Sequence, residues 1–221
     1  MIDTSTISHK IDHTLLKSDA DINNIRQLCQ EAIEFHFYSV CINSVWLKKA
    51  ADFLKGSSVK LCTVAGFPLG NSTISSKLNE METSINNGAS EIDMVMNIGF
   101  FKDKKYNVVS DEIIRMVQNG HGKIIKVIIE SGILSTEEII TATRLVEDSG
   151  AHFVKTSTGF STFGASPEII KTIKTTLKSN TKIKASGGIK SLNQVKDLID
   201  AGADRIGSSS GIIIMKEITD K

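Results

Sequence analysis

The chain predicts a (β/α)8 TIM barrel with a short extra N-terminal helix, and three observations carry that expectation. Short apolar strand-like runs alternate with amphipathic helical stretches along all 221 residues, an order that demands parallel strands joined by helical crossovers. Eight such units can be counted from Ile11 onward, a number that suits one closed barrel at this length. Polar residues and glycines gather at the C-terminal strand ends: Asp12, Asn43, Gly66, Asn97, Glu130, Lys155, Lys184 and Gly207. That rim is where barrel active sites are built, while the opposite face serves stability. A doubly wound open sheet is the alternative, because alternation alone does not show closure. No linker or composition break divides residues 1–221, so a single barrel domain is expected.

The elements follow in order. Residues 2–9 suit a short leading helix, and Ile11-Asp12-His13-Thr14-Leu15-Leu16 is a weak first strand with polar groups at its end. A helix from Ser18-Asp19 to Phe35 carries Ile22, Ile25, Leu28, Cys29, Ala32 and Ile33 at helical spacing. Residues 38–42 form a strand, 45–54 a helix, and 59–65 a strand closing in the turn Gly66-Phe67-Pro68-Leu69-Gly70. The helix at 72–87 stops at Gly88. The strand at 91–96 and the helix at 106–117 precede the clearest strand, 123–129. Ser135-Thr136-Glu137-Glu138 opens the next helix with an N-cap and an acidic first turn, and Gly150 lies past its end. A strand at 151–156, a helix at 167–177, the strand of Lys184, a helix at 192–201, a strand at 204–207 and a helix from Ser210 complete the set.

Composition narrows the function. A net charge of +1 gives no electrostatic basis for nucleic-acid or anionic-membrane binding. Cys29, Cys41 and Cys62 are an odd number and fit reduced thiols better than a disulfide framework. The N-terminus lacks a basic segment followed by an apolar core, and no apolar run is long enough to cross a bilayer. A soluble cytoplasmic protein is expected.

Two lysines suggest chemistry. In Phe153-Val154-Lys155-Thr156-Ser157-Thr158-Gly159-Phe160, alternation places Phe153 and Lys155 on one strand face and Val154 on the other. Ile183-Lys184-Ala185-Ser186-Gly187-Gly188 has the same form. A lysine closing a buried strand is costly unless paired or used. Two ammonium groups about 5 Å apart repel by roughly 3 kcal/mol at an effective dielectric near 20, which favours an amine nucleophile beside a fixed cation. Asp93 offers a carboxylate to relay protons and to hold the second lysine charged. The loops Ser186-Gly187-Gly188 and Gly207-Ser208-Ser209-Ser210-Gly211 lie where this fold binds phosphate. A phosphorylated small substrate is therefore expected.

These motifs resemble the deoxyribose-phosphate aldolase family. Besides both lysine runs, Glu91-Ile92-Asp93-Met94-Val95-Met96-Asn97, Ile11-Asp12-His13-Thr14-Leu15-Leu16 and Thr63-Val64-Ala65-Gly66-Phe67-Pro68-Leu69-Gly70 match in order over essentially the whole chain. The resemblance implies a class I, metal-free and cofactor-free aldolase. It would reversibly cleave 2-deoxy-D-ribose 5-phosphate to D-glyceraldehyde 3-phosphate and acetaldehyde, within deoxyribonucleoside catabolism. It implies that Lys155 forms the Schiff base, Lys184 perturbs it and Asp93 relays protons. Gly187, Gly188, Gly207 and Ser208 would hold the phosphate, with Thr158, Asp12 and Cys41 as further substrate contacts, and a homodimer is a possible assembly. Three positions depart from the family pattern: Lys190 stands where many relatives have arginine, Phe160 where some have lysine, and Ser44 where proline is common. Replacing arginine by lysine removes the bidentate fork that suits phosphate.

Plainer readings stand beside these. Lys155 alone would be a surface lysine, and Asp93 alone a cap or ion-pair partner. Lys126 and Glu130 on one strand face read as an internal structural pair. Asp12 and Thr14 either line the mouth or end a strand, and Cys41 is either near substrate or a small buried hydrophobe. The five histidines show no paired ligand spacing, which argues against a zinc-dependent aldolase. No G-x-S-x-G or P-loop pattern occurs. The rival functions are another Schiff-base barrel enzyme, transaldolase-like or dihydrodipicolinate-type, and a non-catalytic sugar-phosphate-binding barrel.

Overall fold

The strands of this chain are three to six residues long, too short to stand alone, and each is followed by a helix that covers its outer face. The computed structural model describes residues 4–219. A short helix α1 (Thr4–Ile7) and a 3-10 turn at Ser8–Lys10 lead into β1 (Ile11–Leu15). The expected leading helix is thus split in two, and its residues 2 and 3 lie outside the described residues. The chain then runs through α2 (Ile22–Glu34), β2 (Ser39–Ile42), α3 (Leu47–Phe53), β3 (Lys60–Ala65), α4 (Ile74–Asn86) and β4 (Glu91–Val95). Next come α5 (Ile98–Lys102), α6 (Tyr106–Gln118), β5 (Ile124–Ile128), α7 (Thr136–Asp148), β6 (Phe153–Lys155) and α8 (Pro167–Thr176). The last elements are β7 (Lys182–Ser186), α9 (Leu192–Asp200), β8 (Arg205–Ser208) and α10 (Gly211–Thr219).

All neighbouring strands pair in parallel, and β8 returns to β1, so the eight strands close into a barrel. Closure removes the open-sheet alternative. Alternation sorts each strand into two faces: Ile92 and Met94 of β4 join the shell between strands and helices, whereas Glu91 and Asp93 point inward. A smaller interior cluster of Leu16, Cys41, Cys62 and Val64, with Phe67 against it, plugs the barrel on one side.

Local chemistry sets the ends. Ser135 caps α7 in a reciprocal box with Glu138, as the sequence indicates, and Ser166 caps α8 with Pro167 in its first turn. The helix expected from Ser18 begins at Ile22 because Asp21 and Asn24 form the capping box there. The sequence reading missed α5, five residues started by the Asn97 side chain, which accepts the Phe100 N–H. Such a short helix has no room for an apolar period.

One buried ion pair ties the β3 and β4 sides together. Lys77 of α4 is fully buried; its Nζ donates to Glu112 Oε1 of α6 at 2.7 Å and to the Val95 carbonyl at 2.8 Å. Glu112 Oε2 in turn accepts the Asn97 N–H at 2.9 Å. Gly66 has φ +61, and a Cβ there would come within 2.5 Å of Lys77 Cε, so the turn after β3 closes directly on this lysine. Removing one partner of a buried pair strands the other charge. Lys77→Met should therefore lower the unfolding free energy by about 3 kcal/mol. The double variant Lys77→Met/Glu112→Gln should recover more than half of that in urea titrations. Equal losses in the two variants would show that the pair is not coupled through charge.

Candidate active site

Strand register brings the charged residues together inside the barrel. Lys155 of β6 lies opposite Lys184 of β7, and Asp93 of β4 opposite Lys126 of β5. Asp93 Oδ2 accepts from both Lys155 Nζ and Lys184 Nζ at 2.8 Å, while its Oδ1 accepts from Lys126 Nζ at 2.7 Å. Lys184 Nζ also pairs with Asp12 Oδ2, and Asp12 Oδ1 accepts from Arg205 Nη1 at 2.8 Å and from the Ser39 hydroxyl at 2.7 Å. Arg205 reaches Glu91 Oε2 at 3.4 Å, and Glu91 Oε2 returns to Lys126 at 2.7 Å. Asp12, Lys184, Asp93, Lys126, Glu91 and Arg205 thus form a closed ring of alternating sign. Lys155 hangs from it as a seventh group. The Arg205 guanidinium of the ring also lies 3.3 Å from the centre of the Tyr38 aromatic ring.

Burial and charge compete at Asp93, Asp12, Lys184 and Lys126, and charge prevails at each. Burial pushes Asp93 up, yet Lys126, Lys155 and Lys184 together hold it well below the ordinary carboxylate range. Asp12 is lowered in the same way: burial raises it, and Lys184 and Arg205 more than reverse that. Burial pushes Lys184 down, but Asp12 and Asp93 outweigh it and hold the group above an ordinary lysine. Lys184 is therefore locked as a cation. Lys126 is held up likewise, chiefly by Asp93 against burial.

Above the ring opens a cavity of about 360 Å³. Of the three lysines on Asp93, Lys155 alone lines it; Lys184 and Lys126 are fully enclosed. Thr158, Gly187, Gly188, Gly207 and Ser208 line the same cavity, so the structure gathers them around the Lys155 amine. Gly187 and Gly188 have φ +89 and +75, a conformation that suits glycine and lets backbone approach a ligand closely. Gly207 serves a further need, because a Cβ there would stand 3.0 Å from Lys184 Cε. The Ser208 hydroxyl donates to the Ile189 carbonyl at 2.7 Å and accepts the Ser210 N–H at 2.9 Å, joining the two glycine-serine loops. Lys17 and Lys190 also line the cavity and bring positive charge to it.

Two expected contacts are corrected. Asp12 is fully buried with both oxygens committed to Lys184, Arg205 and Ser39, and it does not line the cavity. Cys41 is equally enclosed, within the interior plug beside Cys62. Asp12 sits early in β1, below the rim, whereas Cys41 is enclosed by the plug it forms with Leu16, Cys62 and Val64, with Phe67 against them. A third correction concerns Lys126, which pairs with Asp93 and Glu91 rather than Glu130. Glu130 follows β5 in a left-handed conformation (φ 51) and accepts instead from Thr158 N, Thr158 Oγ1 and the Ser161 hydroxyl. It thereby shapes the loop after Lys155, and Thr158 spends its hydroxyl on that carboxylate. The roles of Arg205 and Glu91 were missed, and Lys126, read as half of an internal pair, has other partners than the expected Glu130.

Cys41, Cys62 and Asp93 bring donor atoms within 4.8 Å of one another. Lys126, Lys155 and Lys184 already occupy Asp93, so the surrounding field disfavours a further cation. No described helix is long and apolar enough to cross a membrane.

A barrel whose rim joins a buried lysine–carboxylate cluster to glycine-serine loops has the form of a barrel enzyme with its site at the strand ends, and the chain belongs to the DeoC/LacD family of aldolases, which it matches over residues 6–219. Within that family its relatives are deoxyribose-phosphate aldolases. It is 48% identical to the one from Dictyoglomus turgidum, over 95% of each chain. It is 49% identical to that from Bdellovibrio bacteriovorus, over 95% of this chain and 96% of the relative. The solved deoxyribose phosphate aldolase of Aeropyrum pernix, described as a tetramer, superposes with a TM-score of 0.91 at 30% identity, over 99% of this chain and 93% of that one.

The charge ring makes a pH prediction. Asp12 is held below its ordinary value of 3.8, so its stabilising contribution is complete above the unfolded-state value and drains away as pH falls through the depressed folded-state value. Asp12→Asn should cost about 3 kcal/mol near neutral pH. The gap between parent and variant should stay level down to about pH 4 and narrow below it. Denaturant unfolding across this range tests the point; a gap that widens in acid would contradict it.

Proposed function

We propose that this aldolase cleaves 2-deoxy-D-ribose 5-phosphate reversibly to D-glyceraldehyde 3-phosphate and acetaldehyde through an imine on Lys155. One observation carries the proposal: Lys155 is the cationic partner of Asp93 that opens into the cavity, and that cavity is walled by the Gly187-Gly188 and Gly207-Ser208 loops. Lys184, enclosed between Asp12 and Asp93, has no path to a substrate and suits the role of fixed charge.

In the proposed reaction the neutral Lys155 amine attacks C1 of the open-chain sugar, and loss of water gives a protonated imine. A base takes the proton of the C3 hydroxyl, the C2–C3 bond breaks, and its electron pair moves into the imine to give an enamine. Glyceraldehyde 3-phosphate leaves, C2 is protonated, and water releases acetaldehyde from Lys155. Asp93 Oδ2 touches both amines, so it is placed to relay protons at this centre. When Lys155 gives up its charge, Asp93 loses one of three cationic partners and becomes a better base. Gly187, Gly188, Gly207 and Ser208, aided by Lys17 and Lys190, hold the phosphate at the other side of the cavity. On this reading Asp12 and Cys41 act from beneath the floor, Asp12 by fixing Lys184. The proposal places the chain in deoxyribonucleoside catabolism, in the cytoplasm and as a homodimer; sedimentation as a single-chain species would set the dimer aside.

Borohydride reduction in the presence of acetaldehyde should fix an ethyl group on Lys155, located by peptide mass mapping. Lys155→Ala should remain folded, take up no label and lose cleavage by on the order of 10⁴-fold or more. Asp93→Asn should retain substrate binding and lose about 10²–10⁴-fold in kcat. Label confined to Lys184 would reverse the two lysines; no label on folded protein would remove the imine.

A further inference from the structure

His13 has no part in the chemistry above, yet it is 3% exposed and sits at the base of the phosphate-side loop. It follows Asp12 on β1, so its ring points out of the barrel while Asp12 points in. Its strand partner across β1 and β8 is Ser208. Nε2 meets Glu31 Oε2 of α2 at 2.8 Å, which fixes the ring's orientation and, as a carboxylate partner, assigns the proton to Nε2. The opposite edge is wedged against the start of α10: a Cβ on Gly211 would stand 2.8 Å from Nδ1. Phe37 packs against the ring in a tilted arrangement, with centroids 4.9 Å apart and planes at 47°. The side chain is therefore gripped on three sides, and the backbone it supports is the Ser208–Gly211 loop of the cavity wall.

We infer that His13, braced by Glu31, is a positioning residue that sets the Ser208–Gly211 loop and thereby the enzyme's affinity for the phosphate end of its substrate. The inference rests on the proposed assignment of that loop to phosphate. The chain of contacts is short. Glu31 orients His13, His13 abuts Gly211, and Ser208 hydrogen-bonds to both Ser210 and the Ile189 loop. A shift at His13 displaces backbone N–H groups on one side of the cavity. Lys155, Asp93 and Lys184 sit on β6, β4 and β7 and are braced by the interior ring, so they stay in place. The consequence is selective: binding of the phosphorylated end weakens and the bond-breaking step does not.

The test compares parent, His13→Leu, His13→Gln and Glu31→Gln on deoxyribose 5-phosphate and on unphosphorylated deoxyribose. Binding of inorganic phosphate is measured by calorimetry. His13→Leu should raise KM for the phosphorylated sugar about tenfold, the size of one lost charge-assisted hydrogen bond. Its phosphate affinity should fall in parallel, with kcat and the kcat/KM on deoxyribose unchanged. His13→Gln, which keeps a donor toward Glu31, should restore most of the affinity. Glu31 lies on an outer helix and is a quarter exposed, so Glu31→Gln tests the same link without risk to the core and should shift KM in the same direction. Unchanged KM and phosphate affinity in both His13→Leu and Glu31→Gln overturns the inference, as does an equal loss on both sugars. If the parent cleaves neither sugar, the proposed reaction fails on its own account. Phosphate calorimetry on parent and His13→Leu then decides the positioning role alone.

Discussion

Asp93 accepts three ammonium groups at once, two on one oxygen and one on the other, and the barrel interior is built around satisfying that arrangement. A lone carboxylate there would be forced to protonate, and a lone lysine to give up its proton. Neither happens, because the ring through Asp12, Lys184, Asp93, Lys126, Glu91 and Arg205 alternates sign all the way round. Three acids balance three bases. Each contact is strong because the medium is poorly polarisable, and each single deletion is costly for the same reason. Much of the desolvation cost of the cluster is therefore recovered only when the whole ring is present.

Such a ring constrains the sequence in two ways. Each member must sit on the inward parity of its strand, and all eight strands must hold register, since a slip of one residue turns every side chain to the other face. The first condition was legible. Glu91 and Asp93 alternate, Phe153 and Lys155 alternate, and the eight repeats announced the barrel. The second was not. Partners such as Asp93 and Lys155 are 62 residues apart, Asp93 and Lys184 are 91 apart, and Asp12 and Arg205 are 193 apart. Only closure of the barrel sets those pairs. Lys126 shows the limit clearly: parity allowed Glu130 as its partner four residues on, but the strand ends at Ile128 and Glu130 turns left-handed. Its carboxylate is carried to the next loop, and Lys126 pairs with Asp93 and Glu91 on the neighbouring strand β4 instead.

The same geometry divides the rim. Loops after β7 and β8, with Lys17 and Lys190, make one side of the cavity polar and cationic. Across from them Phe160 packs edge-on against Phe67 at 5.3 Å, tying the loop after β6 to the turn after β3. Phe160 was legible in the sequence as a departure from the family pattern. Its partner was not, because the contact spans strands that are not neighbours in the sheet.

What separates the two lysines is how many carboxylates each one answers to. Lys184 answers to Asp12 and Asp93, so neutralising it would leave two buried carboxylates short of a partner. Lys155 answers to Asp93 alone, and Asp93 keeps Lys126 and Lys184 when Lys155 changes state. With Lys155 charged, the seven groups carry one excess positive charge; with Lys155 neutral, they balance. The interior thus holds Lys184 between two carboxylates and leaves Lys155 with one, so a change at Lys155 disturbs fewer partners. A nucleophile that must alternate between amine and imine needs that freedom, and a group that shapes its field must lack it. This asymmetry is what supports the roles proposed for the two lysines.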